Sequence, residues 1–315
     1  MANQTPTDMK PRDVSCHLTK ILTKKNHYNP CFWTAYWNFQ YLLEKRKNKY
    51  FSQSVRDTVI YCLNLRSNKI LHSKTEKVFY EKHAGLAKVS PEMARVFVKK
   101  NYPEDYENFH ALEREEITID FENIFTKMEE GYKGILEKLI IDNKKFIFND
   151  ESKTLFSMFI LCQILRNPKS LNPMQNYLKK FGMEKFEVLL QIRNNLVEKN
   201  TLRTLLNPFL YSKWTTYILN KNIFPLSDTP ILIKNHNIMI AVAPNIMIEM
   251  TINLRSNKVG NCITKNKISC LQYNRFLRRT ILNADREIIF GDQKLLEKIQ
   301  QKSDYKNRIL KINGS

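Results

Sequence analysis

Glycine is what this chain has least of: 7 of 315 residues, about 2% against a usual share of about 7%. Loops that cradle phosphate need glycine where the backbone must approach an anion closely. Neither G-x-G-x-x-G nor G-x-x-x-x-G-K-[ST] occurs, so the familiar nucleotide-binding loops are excluded. H-E-x-x-H and G-x-S-x-G are missing too, which removes the common zinc-protease and serine-hydrolase readings. The six cysteines (Cys16, Cys31, Cys62, Cys162, Cys262, Cys270) are scattered without any C-x-x-C. They read as buried, reduced thiols, as in a cytoplasmic protein. Long apolar runs are lacking as well. The longest, Leu155 to Leu165, is broken by Gln163 and falls short of the roughly 20 residues a membrane helix needs. Residues 1–13 are polar without an apolar core, so neither a signal peptide nor membrane association is expected.

What is present is a basic chain with enough apolar residues for a sizeable core. Hydrophobic residues make up 43% and aromatics 11%, sufficient to fold without staples. The net charge of +20 is unevenly spread. Residues 1–100 carry +12, 101–150 carry −7, 151–220 carry +6 and 221–315 carry +9. An excess of this size points to nucleic acid or another polyanion as partner. Its competitor is a compositional bias toward Lys, Asn and Ile, with lysine as an ordinary solvated surface residue.

Asn29 and Pro30 predict a helix start, with Asn29 as N-cap and Pro30 at the first helical position. Tyr28 and Trp33 would form a hydrophobic staple across it. Trp33, Tyr36, Trp37 and Tyr41 then follow at helical spacing, predicting a helix from 30 to about 46 whose aromatics are core rather than base-stacking groups. Residues 58–63 and 70–71 flank a Ser-Asn turn and read as a hairpin. That context makes the Arg66 and His72 spacing, which matches a helical ribonuclease motif, a chance match. Residues 91–115 read as helix broken at Pro103, 119–141 as the clearest amphipathic helix, and 153–166 as a helix buried on most sides. A further helix covers 183–199. Strands are expected near 223–226, 231–233, 238–242, 246–253 and 287–290, with a basic helix over 269–283. No internal repeat or low-complexity linker divides the chain. The expected fold is therefore α+β: one compact, predominantly helical domain over 25–292. Its small, mainly antiparallel sheet would come from the N-terminal hairpin and the C-terminal strands. A polar arm (1–24) would precede it and a basic helix or tail (293–315) would follow.

Several landmarks fall in a recognisable order. They are Asn26-His27-Tyr28-Asn29-Pro30 before an aromatic helix, a strand pair, an acidic helix around Phe121 to Glu130, and Gln163-x-x-Arg166. Ser227-Asp228-Thr229-Pro230, a strand leading from Pro244, and the Asn274 helix running into Ala284-Asp285-Arg286 complete the series. In this order, over about residues 24 to 292, the chain resembles the domain-of-unknown-function 4238 family of bacteria. It departs from that pattern at Cys31-Phe32-Trp33, where a more aliphatic run is expected. The resemblance implies an architecture and a set of polar positions, Asn274 among them, but no reaction.

Each candidate has a functional and a structural reading. His27, near a helix start, would be a neutral imidazole able to take a proton or ligate a metal, or else a ring packed on the aromatic helix. Glu129 flanks the apolar stripe of its helix while Glu130 points away, so Glu129 is the site candidate of the two. Gln163 and Arg166 share one face of a buried helix. Arg166 either pairs with a carboxylate, from Glu129 or Asp228, or orients a phosphate. Asp228 either accepts hydrogen bonds within its own turn or projects into a site. Together these predict action on nucleic acid, with phosphodiester hydrolysis as the reaction. His27, Glu129 and Asp228 would be catalytic, Gln163, Arg166 and Asn274 would bind substrate, and a divalent metal ion is left open as cofactor. The alternative is a non-catalytic nucleic-acid or protein interaction module.

Overall fold

The computed structural model describes residues 25–313 except 28, 83–84, 102, 107–116, 143–145, 181 and 253–258. The arm expected over 1–24, Cys16 and the Tyr28 staple lie outside the described residues. Strand β1 (Lys25–His27) leads into a short helix α1 (Cys31–Thr34), a 3-10 turn (Ala35–Trp37) and helix α2 (Phe39–Lys47). The single helix expected over this stretch is broken at Asn38. There the backbone is extended, and the Asn38 side chain accepts from the Tyr41 N–H at 2.8 Å, capping a new helix. Trp33, Tyr36, Trp37 and Tyr41 are all core residues. The Trp33 and Trp37 indoles donate to the Val242 and Phe224 carbonyls at 2.8 and 2.9 Å, so neither buried N–H is orphaned.

The expected hairpin is β2 (Val59–Asn64) with β3 (Lys69–Lys74). Short strands β4 (Tyr80–Lys82) and β5 (Leu86–Val89) follow, then helices α3 (Pro91–Asn101) and α4 (Pro103–Tyr106) and strand β6 (Ile117–Asp120). Ile117 and Ile119 bury alternate positions of β6 against β5, so the helix expected from 119 starts later, as α5 (Glu122–Ile141). Helix α6 (Asp150–Arg166) opens on a reciprocal capping box between Asn149 and Ser152. Three further helices follow: α7 (Pro168–Lys179), α8 (Lys185–Val197) and α9 (Lys199–Leu210).

The C-terminal part alternates less simply than its sequence suggests. It runs β7 (Lys213–Ile218), β8 (Leu226–Ser227), β9 (Leu232–Lys234), β10 (Asn237–Ala243), β11 (Ile246–Thr251), β12 (Cys262–Lys265) and α10 (Cys270–Asn283). The chain closes with β13 (Glu287–Phe290), α11 (Gln293–Gln300) and α12 (Ser303–Asn313). Lys234 pairs with Asn237, and the two residues between them, Asn235 and His236, have φ of 46° and 57°. That is the geometry of a two-residue mirror-image hairpin turn, for which Asn is favoured.

The fold is mixed α+β, but its strands do not form one small sheet. The order β12-β7-β11-β10-β9 makes a five-stranded sheet, antiparallel except where β12 runs parallel to β7. The N-terminal hairpin joins the C-terminal strands in a separate sheet, β3-β2-β13-β8, while β1-β4 and β5-β6 are isolated pairs. A main hydrophobic core includes Trp33, Phe159, Trp214, Ile240 and Ile289, and a smaller one forms around Phe97, Phe121 and Phe186. Residues 293–313 do not trail as a tail, because Leu296, Ile299 and Tyr305 are buried in the main core. At Gly260 and Gly291 there is no room for a side chain. A Cβ on Gly291 would lie 2.4 Å from the Trp37 carbonyl oxygen and 2.5 Å from the Phe39 ring.

Candidate functional site

The sequence landmarks build a buried polar seam between α5, α6 and the end of β8. His27 lies in β1, its Nδ1 3.2 Å from the Val78 carbonyl oxygen and its ring tilted against Tyr80. A carbonyl can only accept, so this contact requires a proton on Nδ1. Asn29 does not cap the helix. The Trp33 and Thr34 N–H groups turn back to the Pro30 carbonyl, and Pro30 occupies the cap position. The Asn29 amide instead donates to the Ser227 carbonyl at 2.9 Å, across 198 residues of chain, and its buried Oδ1 has no donor.

Glu129 and Arg166 form an ion pair between α5 and α6. The guanidinium, only 7% exposed, also lies over the Phe125 ring at 5.3 Å. Of the two carboxylates that sequence reasoning offered to Arg166, Glu129 is the partner. Gln163, one turn earlier on α6, is buried, and neither end of its amide makes a hydrogen bond. The buried Tyr132 hydroxyl likewise makes no hydrogen bond, and burial pushes its pKa well up.

Asp228 departs from both of its sequence readings. Its carboxylate accepts from the backbone N–H of Asp285 at 2.9 Å and of Arg286 at 2.5 Å, so it clamps a distant turn rather than its own. Its N–H donates to the Glu287 carbonyl, and its carbonyl accepts from Asn167 Nδ2 at 2.5 Å. Burial pushes its pKa up to about 7, and the two N–H donors oppose that rise without cancelling it.

Glu129, Gln163 and Arg166 thus stand together, and Asn167 links them to Asp228. The described contacts do not gather His27, Glu129 and Asp228 into one cleft: each is engaged by a different partner. No cluster of three or more His, Cys, Asp or Glu side chains among the described residues is placed to hold a metal ion. Asn274 lies apart from the seam, exposed on α10.

Asn274 belongs to a second feature, an open groove of about 780 Å³ along α10. Lys234, Arg275, Arg278, Arg279 and Lys302 line it, and Asp304 is the one carboxylate among its lining residues. Leu271, Asn274, Arg275, Arg278 and Leu282 repeat at spacings of three and four, so one helix face supplies most of the wall. The β9–β10 turn brings Lys234 and Asn235, and the start of α12 brings Asp304. Arg278 Nε pairs with Asp304 at 3.2 Å. The helix is anchored at both ends. Ser269 caps its start through the Gln272 N–H, while Lys169 and Arg308 donate to the Asn283 and Ala284 carbonyls at its end.

No protein-family model matches the chain, and no curated protein or solved structure matches it either. The geometry therefore carries the functional argument alone. No helix among the described residues is long and apolar enough to cross a membrane. Sequence reasoning identified the basic helix and Asn274 but missed the groove. The spacing of Arg275, Arg278 and Arg279 was visible there, whereas Lys234 and Lys302 reach it only through the hairpin turn and the α11–α12 corner. The expectation of buried cysteines holds only in part: Cys62 and Cys162 are buried, Cys31 and Cys262 are half-buried, and Cys270, at the start of α10, is exposed.

Proposed function

We propose that this protein binds nucleic acid through the groove along α10. The observation that carries the reading is the charge of that groove, five cations against one carboxylate, on a chain of net charge +20. Such a surface attracts phosphates and releases their counterions, a sequence-independent source of affinity. What favours binding over hydrolysis is that the described contacts tie the three expected catalytic side chains to different partners: His27 Nδ1 to a carbonyl, Glu129 to Arg166, Asp228 to two backbone N–H groups. The same reading places the protein in the cytoplasm as one domain. It also treats the chain as a divergent member of the domain-of-unknown-function 4238 family, supported by the meeting of the Asn29, Glu129, Gln163, Arg166 and Asp228 landmarks in one seam.

The test is fluorescence anisotropy with labelled RNA and DNA oligonucleotides at several salt concentrations. Binding should weaken steeply with salt, and Arg275→Glu combined with Arg278→Glu should reduce affinity at least about tenfold. Equal affinity for this double variant and wild type would remove the groove from the interface. In parallel, metal-dependent cleavage of the oligonucleotides that His27→Ala abolishes would restore the hydrolase reading.

A further inference from the structure

We propose that Arg279 forms a phosphate subsite within the groove, held in position by Asn237 and, behind it, Glu249. This rests on the groove being the binding surface, and it deepens that reading from a charged region to a particular contact. Arg279 Nη1 donates to Asn237 Oδ1 at 2.7 Å, and Asn237 Nδ2 donates to Glu249 Oε1 at 2.8 Å. Glu249 Oε2 is in turn held by the Tyr217 hydroxyl at 3.2 Å and by Gln272 Nε2 at 3.4 Å. The relay runs from three strands and α10 to a single guanidinium.

The chemistry of the relay fits a preorganised anion contact. A carboxylate placed directly on Arg279 would neutralise it. An amide between the two orients the guanidinium and leaves its charge for a ligand, while Glu249 fixes the amide. Arg279 Nε is enclosed and has no acceptor, so the donors left for a ligand are those of Nη2 and the second Nη1 hydrogen. Arg275 lies one turn away on the same helix, and two cations at that spacing repel unless an anion lies between them. Arg278, the neighbouring groove arginine, is already paired with Asp304. The planar guanidinium fork matches phosphate oxygens in a way that an ammonium group cannot.

The ligand is therefore a phosphate group, from a nucleic-acid backbone or from a free polyphosphate. Two probes separate these sources: a labelled oligonucleotide and inorganic tripolyphosphate, the latter followed by calorimetry. Arg279→Lys keeps the charge but loses the fork, and should weaken binding about tenfold or more, whereas Arg203→Lys, at an exposed arginine of α9 outside the groove, should stay close to wild type. Asn237→Ala removes no charge. If Asn237 positions Arg279, the dependence of log K on log salt should nevertheless become shallower by about 0.9, the loss of one phosphate contact. A merely structural Asn237 would leave that slope unchanged. Should Asn237→Ala lose its native circular dichroism, the isosteric Asn237→Asp serves instead. It sets a carboxylate on Arg279 and is expected to weaken both probes. Oligonucleotide binding that Arg279→Lys leaves unchanged would overturn the subsite but keep the groove. Tripolyphosphate binding that depends on Arg279, with no oligonucleotide binding, would keep the subsite and overturn the nucleic-acid reading. No binding of either probe to the wild type would overturn both.

Discussion

At the scale of single residues, the buried polar groups of the seam decide how stability responds to change. Asp228, pushed up to about 7 by burial, holds its proton in the native state at pH values where the unfolded chain has lost it. Its contribution is fully present below the ordinary carboxylate range and is lost as pH rises through about 7. Stability should therefore fall between about pH 4 and 7, by roughly 4 kcal/mol from this group. Asp228→Asn should flatten that slope, as urea melts at a series of pH values would reveal, and an unchanged slope would place the titration elsewhere. Glu129 and Arg166 obey a different rule. Arg166→Met leaves the half-buried Glu129 carboxylate unpaired and should cost about 3 kcal/mol, but the double change Glu129→Leu, Arg166→Met should recover most of that loss. A double-mutant cycle by chemical denaturation measures the recovery. Persistent destabilisation of the double variant would mean that the pair contributes by more than mutual neutralisation.

Helices and strands fail or hold according to what their ends meet. The aromatic segment after Pro30 had helical spacing throughout, yet it breaks at Asn38, where the two indoles reach the carbonyls of Val242 on β10 and of Phe224. Asn38 makes the break affordable by capping the second helix. At the other side of this junction, Gly291 allows the chain after β13 to pass against Trp37 and Phe39. Gly291→Ala forces a methyl group into the Trp37 carbonyl and should lower stability by about 1–3 kcal/mol. A melting temperature equal to that of wild type would show that the junction can open without cost. Helix α10 is the element on which fold and proposed function meet. Its buried face, with Phe276, Leu277, Thr280 and Ile281, fixes it to the core, and so presents its arginines along the groove.

On the scale of the whole molecule, the last residues are part of the fold. Because Leu296, Ile299 and Tyr305 fill the main core, truncation after residue 292 should expose apolar surface and leave an unfolded or aggregating chain. Size-exclusion chromatography and circular dichroism of residues 1–292 would check this, and a monomeric, native-like product would show that the fold does not need these residues. The groove has a similarly distributed origin, since α10, the β9–β10 turn and the start of α12 each supply part of its wall.

The sequence alone was enough for the α+β class, the β2–β3 hairpin, the buried α6, the basic α10 and β13, because hydrophobic period and turn chemistry are local. Local pattern also singled out Glu129, Gln163, Arg166 and Asp228, since buried polar residues stand out against an apolar surround. What each does was decided only by tertiary structure. Whether Arg166 meets Glu129 or a ligand, and whether Asp228 binds its own turn or one 57 residues away, depends on which segments pack together. The division of strands into separate sheets has the same cause, because a strand's local sequence specifies its pleat but not its partner. The binding groove lies at the far end of that dependence. Its charges come from segments that carry no shared pattern, and they become one surface only when the core has brought them there.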